Sequence, residues 1–150
     1  MVKEPAPSIF YLAEPMVRPE KYPMAMMDRL GYSLDFISNN RVNKPLNLWI
    51  LWRKDLKKPT VVMTSKQKIT IYEELDGLVC LLTFVHTDNF KVERRNLRYD
   101  IISLGSPMVT WLVCGDFNCT LFSHEKIKPG SFNSSAADEF AACLDFVALT

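Results

Sequence analysis

Asp116 and Asn118 stand two residues apart in Gly115-Asp116-Phe117-Asn118, directly after the apolar run Val109-Thr110-Trp111-Leu112-Val113-Cys114. A buried strand would fix the backbone there. A glycine would permit a sharp exit, and the two polar side chains could then share one strand end. A carboxylate beside a carboxamide suits metal-assisted work on phosphate esters. Asp116 would activate or position a water, and Asn118 would supply a neutral oxygen and an amide. The alternative is a plain turn, because Asp and Asn are also common turn and helix-start residues.

Two further polar residues end apolar strands in the same manner. Glu14 follows Ser8-Ile9-Phe10-Tyr11-Leu12-Ala13. It is either a ligand for Mg²⁺, which favours carboxylate oxygens and retains several waters, or a solvated loop acid before Pro15. His86 follows Leu81-Leu82-Thr83-Phe84-Val85 and precedes Thr87-Asp88-Asn89. It is either a phosphate donor and proton shuttle or a hydrogen-bonded edge residue. Arg94 and Arg95 either lie on an exposed helix face, or one of them reaches a phosphate backbone or braces the site from behind. His124, beside Glu125 and Lys126, reads as solvated loop. The chain has no Gly-rich phosphate loop, no Ser-His-Asp ordering and no zinc-ligand cluster.

These residues need strands and helices to hold them. Strands are expected at 8–13, 32–37, 46–52, 60–64, 67–72, 78–85 and 109–114. Pro15, Pro19 and Pro23 leave room for only one short helix, Met24 to Leu30, closed by Gly31. Asn39-Asn40 and Asp76-Gly77 signal turns, the latter a hairpin. Phe90, Leu97, Ile101 and Leu104 share a helical face, and Gly105 and Pro107 stop that helix. A Pro/Gly/Ser-rich loop covers Lys128 to Ser135. Ser135-Ala136-Ala137-Asp138 reads as a helix start, and Phe140, Cys143, Leu144 and Val147 follow with amphipathic spacing. Strands in hairpin succession, then helix, strand and helix, predict a mixed α/β layered protein with helices over largely antiparallel sheets.

The 150 residues suffice for one domain with a core, and 48% of them are apolar, a globular composition. With 18 basic and 17 acidic residues there is no global field for nucleic acid, so such binding needs a local patch. The longest apolar runs are too short to cross a membrane. The start Met1-Val2-Lys3-Glu4-Pro5 has no charged-then-apolar signal architecture, so no secretion is expected. Cys80, Cys114, Cys119 and Cys143 form no C-x-x-C pair and read as reduced thiols in a nuclear or cytoplasmic protein.

Together these segments resemble the endonuclease/exonuclease/phosphatase superfamily, whose fold is deoxyribonuclease I-like. Ile9 to Pro15 looks like its strand-plus-glutamate motif. Leu82 to Asn89 with Glu93-Arg94-Arg95-Asn96-Leu97 is similar to its central strand and helix. Trp111 to Asn118 resembles its G-D-F-N motif, with Glu125-Lys126 following at the usual short distance. The wording is most similar to endonuclease domains of plant non-LTR (LINE-type) retrotransposons and their reverse-transcriptase-associated relatives, from about Ile9 to Leu149.

The resemblance implies a partial four-layer α/β sandwich with mostly antiparallel sheets flanked by helices. It also implies Mg²⁺-dependent hydrolysis of phosphodiester bonds in nucleic acid, with DNA the expected substrate. Glu14 would bind the metal. Asp116 and Asn118 would handle the attacking water and phosphate, and Asn89 would contact substrate phosphate. His86 stands where the family usually has tyrosine. Residues 1–150 are expected to form one incomplete domain: the family's first, asparagine-bearing strand precedes Met1, and its late Asp and His would follow Thr150. The alternative to an active enzyme is an inactive fragment that at best binds nucleic acid or protein weakly.

Overall fold

The computed structural model describes residues 6–39, 41, 45–75, 77–105, 108–125 and 132–147. The elements, in order, are β1 (Ile9–Ala13), α1 (Met24–Arg29), β2 (Ile37–Ser38), β3 (Leu48–Trp52), β4 (Thr60–Ser65), β5 (Lys68–Leu75), β6 (Leu78–His86), α2 (Lys91–Ser103), β7 (Thr110–Asp116) and α3 (Ser134–Phe146). Short 3₁₀ turns lie at Pro19–Lys21 and Ser123–Glu125.

β3 reads Leu-Trp-Ile-Leu-Trp, and all five residues are buried. A strand apolar on both faces must be covered on both. β3 therefore sits at the centre of a three-stranded antiparallel sheet, in the order β1-β3-β2. Leu48, Ile50 and Trp52 meet Ile69, Ile71, Leu82 and Phe84 of a second sheet, ordered β4-β5-β6-β7. Trp49 and Leu51 point the other way, into a cluster with Tyr22, Met27 and Tyr32 from the α1 region. On the far side of the second sheet, Val85 packs with Leu97 and Ile101 of α2 and with Cys143 and Val147 beside α3. The result is four layers: the α1 region, two sheets, and the α2–α3 pair.

The second sheet carries polar groups on its helix-facing side, and each finds a partner. Thr70 and Thr83 lie opposite each other with their hydroxyls 3.0 Å apart, and Trp111 Nε1 donates to Thr83 Oγ1 at 2.9 Å. α2 and α3 are tied by Glu139, which accepts from Arg95 and Arg98 and pairs with Lys91. The Arg95 guanidinium, with Lys91 beside it, holds the Glu139 carboxyl down at about 2. Arg95 is thereby committed to α3.

Several expectations are corrected. No continuous strand spans 32–37: Tyr32 makes one bridge to Arg53, and pairing resumes only at β2. Asp35 breaks the run, its Oδ1 accepting from Phe36 N at 2.8 Å while its carboxylate pairs with Lys58. This kink lets Tyr32 and Phe36 both reach the outer cluster. Asn39 is a buried clamp, 1% exposed, where a turn is expected. Phe90 is 71% exposed, because it precedes α2 in extended conformation. α3 is capped by Asn133, which accepts from Ala136 N, and Ser135 lies inside the helix. β7 is an edge strand, with Leu112 56% exposed. The four cysteines are free thiols. Asn40, Asp76, Pro107, Lys126 and much of the 128–135 loop lie outside the described residues.

Gly115 is also corrected. It lies within β7 rather than at its exit. β7 runs parallel to β6, and a Cβ on Gly115 would stand 1.9 Å from the Val85 carbonyl oxygen, at φ +142°. The glycine serves close approach of two backbones. Gly115→Ala should therefore lose about 2–6 kcal/mol of unfolding free energy in urea, combining backbone strain and overpacking of about 1–3 kcal/mol each. Gly77→Ala, at φ +78° with nothing within 4 Å of the added Cβ, bears only the backbone cost. Equal losses in the two variants would refute the close-approach account.

Candidate functional site

The parallel pairing of β6 and β7 sets the site. In parallel strands both C-terminal ends reach the same edge of the sheet, and His86 lies directly opposite Asp116. The chain segments that leave those two strands are stitched together. Thr87 N donates to Asp116 O at 2.9 Å, and Asn118 Nδ2 donates to Thr87 O at 2.6 Å. Asn118 N in turn donates to Asp116 Oδ1 at 2.8 Å. The turn reading of Asp-x-Asn is thus correct for the local geometry. The same turn also places both side chains on the rim of a cleft of about 800 Å³.

Glu14, His86, Asn89, Asp116 and Asn118 all line that cleft. Glu14 arrives from the first sheet, at the end of β1, where its N–H donates to Asn47 O at 2.8 Å. Its backbone is left-handed (φ 49°), as is that of Asn118 (φ 47°). Non-glycine residues in that region are strained, and such strain gathers at functional sites. Glu14 Oε1 lies 3.1 Å from His86 Nε2. A carboxylate only accepts, so Nε2 carries the hydrogen and His86 holds Glu14 across the two sheets. His86 Nδ1 is buried without a partner among the described residues. Close behind lies Tyr11 of β1: burial, with Cys114 and Asp116 beside it, pushes its phenol up.

The cleft also has a buried carboxamide scaffold that the sequence does not advertise. Gln67, 4% exposed in the β4–β5 turn, joins three elements. Its Oε1 accepts from the Thr87 hydroxyl and, at 3.1 Å, from Asp88 N; its Nε2 donates to Glu93 O at 2.7 Å; its carbonyl accepts from His86 N at 2.9 Å. Asn39 does the same for the opposite wall, donating to Asn47 Oδ1 at 2.7 Å and Lys66 O at 2.9 Å and accepting from Asn47 N and Leu48 N. Gln67 belongs to no local motif and Asn39 reads as a turn residue, so only burial reveals their role. Asp88, Glu93, Arg41 and Lys66 complete the charged lining. Lys66 pairs with Glu93 at 2.5 Å and holds that carboxyl below its usual range. Arg94 lies outside the lining, with Nη1 on the Asn89 carbonyl. His124 stacks on Phe122 away from the cleft.

Glu14, Asp88, Glu93 and Asp116 bring four carboxylates to one cleft, with carboxamide oxygens beside them. Such hard oxygen donors suit Mg²⁺, which usually takes one or two carboxylates and keeps its waters. Among the described residues no cluster of three His, Cys, Asp or Glu is close enough to cage an ion. The fit is therefore to a partly hydrated cation.

No protein-family model matches the chain, and none of the curated proteins matches it. Solved structures do. An AP endonuclease from Archaeoglobus fulgidus superposes with TM-score 0.63 at 18% identity, over 93% of this chain and 60% of that one. The 3′ phosphatase NExo from Neisseria, bound to a product DNA hairpin, gives 0.63 at 16% identity, over 93% and 61%. D. rerio TDP2 with a single-strand DNA product gives 0.54 at 16% identity, over 76% and 49%. The fold is deoxyribonuclease I-like, a mixed α/β arrangement of two sheets flanked by helices, as expected from the sequence. The chain spans about three fifths of the length of the first two structures.

If Gln67 holds this edge together, Gln67→Leu strands the Thr87 hydroxyl, Asp88 N and Glu93 O in a buried place. We expect a loss of about 1–3 kcal/mol in urea unfolding, the usual penalty for an orphaned buried polar group. A change below about 0.5 kcal/mol would show that the carboxamide bears no such load.

Proposed function

We propose that this chain is a divalent-metal-dependent phosphodiesterase domain that hydrolyses nucleic acid, DNA in the first instance, and descends from a retrotransposon endonuclease. One observation carries the reading. Five residues, four singled out by type and position and Asn89 by the resemblance, lie at the ends of β1, β6 and β7 or on the connections that follow and line one cleft. The names of the structures that share the fold support the substrate class: an AP endonuclease, a 3′ phosphatase bound to DNA, and TDP2 bound to a DNA product. The wording around Gly115-Asp116-Phe117-Asn118 supports the retrotransposon descent, and the free thiols suit an intracellular setting.

Glu14, with Asp116 and Asn118 near it, would hold the cation. When bound, Mg²⁺ would neutralise charge on the transferring phosphate. Asp116 takes the proton of the attacking water through the carboxylate oxygen not spent on Asn118 N. Asn118, its amide fixed on Thr87 O, offers its carbonyl oxygen to hold that water. His86 keeps the Glu14 carboxylate in place through Nε2. Asn89, whose carbonyl is fixed by Arg94, presents its side chain to the phosphate.

A second reading rests on His86. Its Nε2 hydrogen is committed to Glu14 rather than to a substrate, and no histidine is hydrogen-bonded to an aspartate in the cleft among the described residues. On that reading the domain binds nucleic acid without cutting it. Nicking of supercoiled plasmid in Mg²⁺ separates the two. The hydrolase reading predicts nicking that EDTA abolishes and that Asp116→Ala reduces by about 10²–10⁴-fold, the usual contribution of a positioned general base. Folded protein that leaves the plasmid intact supports the binding-only reading. Nicking that survives Asp116→Ala would sink the assignment.

A further inference from the structure

Arg41 lies between β2 and β3 and lines the cleft. Its Nη1 donates to the Pro45 carbonyl at 3.2 Å. Its Nε is buried and has no partner among the described residues. No described residue accepts from Nη2 either, so the side edge of the guanidinium, Nε with Nη2, has no partner among the described residues. Elsewhere in this protein that same edge grips a carboxylate: Arg53 holds Asp55 and Arg95 holds Glu139, each through Nε and Nη2. The cleft contains four carboxylates, yet none of the described residues forms an ion pair with Arg41. Arg94 has a similarly bare Nε but does not line the cleft.

A buried donor without an acceptor is costly, and a guanidinium edge matches two oxygens of one tetrahedral anion. Lys66, the other Lys or Arg in the lining among the described residues, is already shared with Glu93. A cleft of about 800 Å³ has room for more than a single phosphate group. Asp88 and Asp116 stand at the β6–β7 edge, where the phosphodiesterase reading puts the cation and the cleaved bond. Arg41 comes from a different wall, built by Asn39 and Asn47.

We infer that Arg41 grips, through Nε and Nη2, a backbone phosphate neighbouring the one that is cleaved, so that the substrate is a strand of nucleic acid rather than a single phosphate ester. The inference rests on the phosphodiesterase reading for the position of the cleaved bond. Its binding arm does not require cleavage.

The test uses fluorescence anisotropy with a fluorescein-labelled single-stranded 12-mer, in EDTA, across a salt series. Wild type should bind with a salt slope that falls by about 0.7 in Arg41→Gln, one phosphate contact on a single strand, with about tenfold weaker binding. Arg41→Lys should keep the slope and recover only part of the affinity, since a lysine supplies charge without the fork. Hydrolysis of thymidine 5′-monophosphate p-nitrophenyl ester, which has one phosphate, should be equal in wild type and both variants. Equal slopes and affinities in wild type and a natively melting Arg41→Gln would overturn the assignment, as would full rescue by Arg41→Lys. Arg41-dependent binding by a wild type that never nicks DNA supports the Arg41 contact and overturns the hydrolase reading alone.

Discussion

The contact between Gly115 and Val85 is the constraint on which the site depends. Two parallel strands pass so closely there that no β-carbon fits between them. That approach fixes the register of β7 against β6, and the register sets His86 beside Asp116. Because the strands are parallel, their exits lie at one edge, and Thr87 and Asn118 can be hydrogen-bonded to each other within two residues of the strand ends. A slip of one residue would turn every side chain of β7 to the opposite face. Trp111 and Val113 would leave the α2–α3 core, and Asp116 would leave the cleft.

The rest of the cleft is an answer to the charge collected at that edge. Four carboxylates line one cleft, where cations and hydrogen bonds can offset their mutual repulsion. Some compensation is visible. Lys66 serves Glu93, the Asn118 amide serves Asp116, and His86 serves Glu14. Gln67 and Asn39 meanwhile satisfy the main chain beneath, so the charged layer rests on a hydrogen-bonded floor. On the proposed reading, a hydrated divalent cation would complete this balance. Among the described residues, three non-glycine backbones are left-handed: those of Glu14 and Asn118, which line the cleft, and that of Met16, which does not.

Much of this was legible in the chain. Apolar runs, the alternation at Ile69 and Ile71 and the Asp76-Gly77 signal located the strands of the second sheet, whereas 46–52 reads simply as a strand and its two-sided burial emerges only in the fold. The polar residues at three strand ends were visible because each interrupts an apolar run. What stayed hidden is long-range. The role of Gly115 depends on Val85, thirty residues earlier in sequence and adjacent only through the parallel pairing. Asn39 looks like a turn residue because its partners, Asn47 and Lys66, come from other segments. Phe90 fits the helical period yet stays exposed, because periodicity cannot tell a helix's first residue from the extended one before it.

The central claim is that the β6–β7 register and the end of β1 together build a site for a divalent cation. Titration of ¹⁵N-labelled protein with Mn²⁺ tests it directly, through paramagnetic broadening of amide signals. The account predicts saturable broadening centred on Glu14, His86, Thr87, Asp116 and Asn118, displaced by Mg²⁺ and weakened in Glu14→Gln. Broadening that never saturates, or that centres on another surface such as the α2–α3 groove, would contradict it.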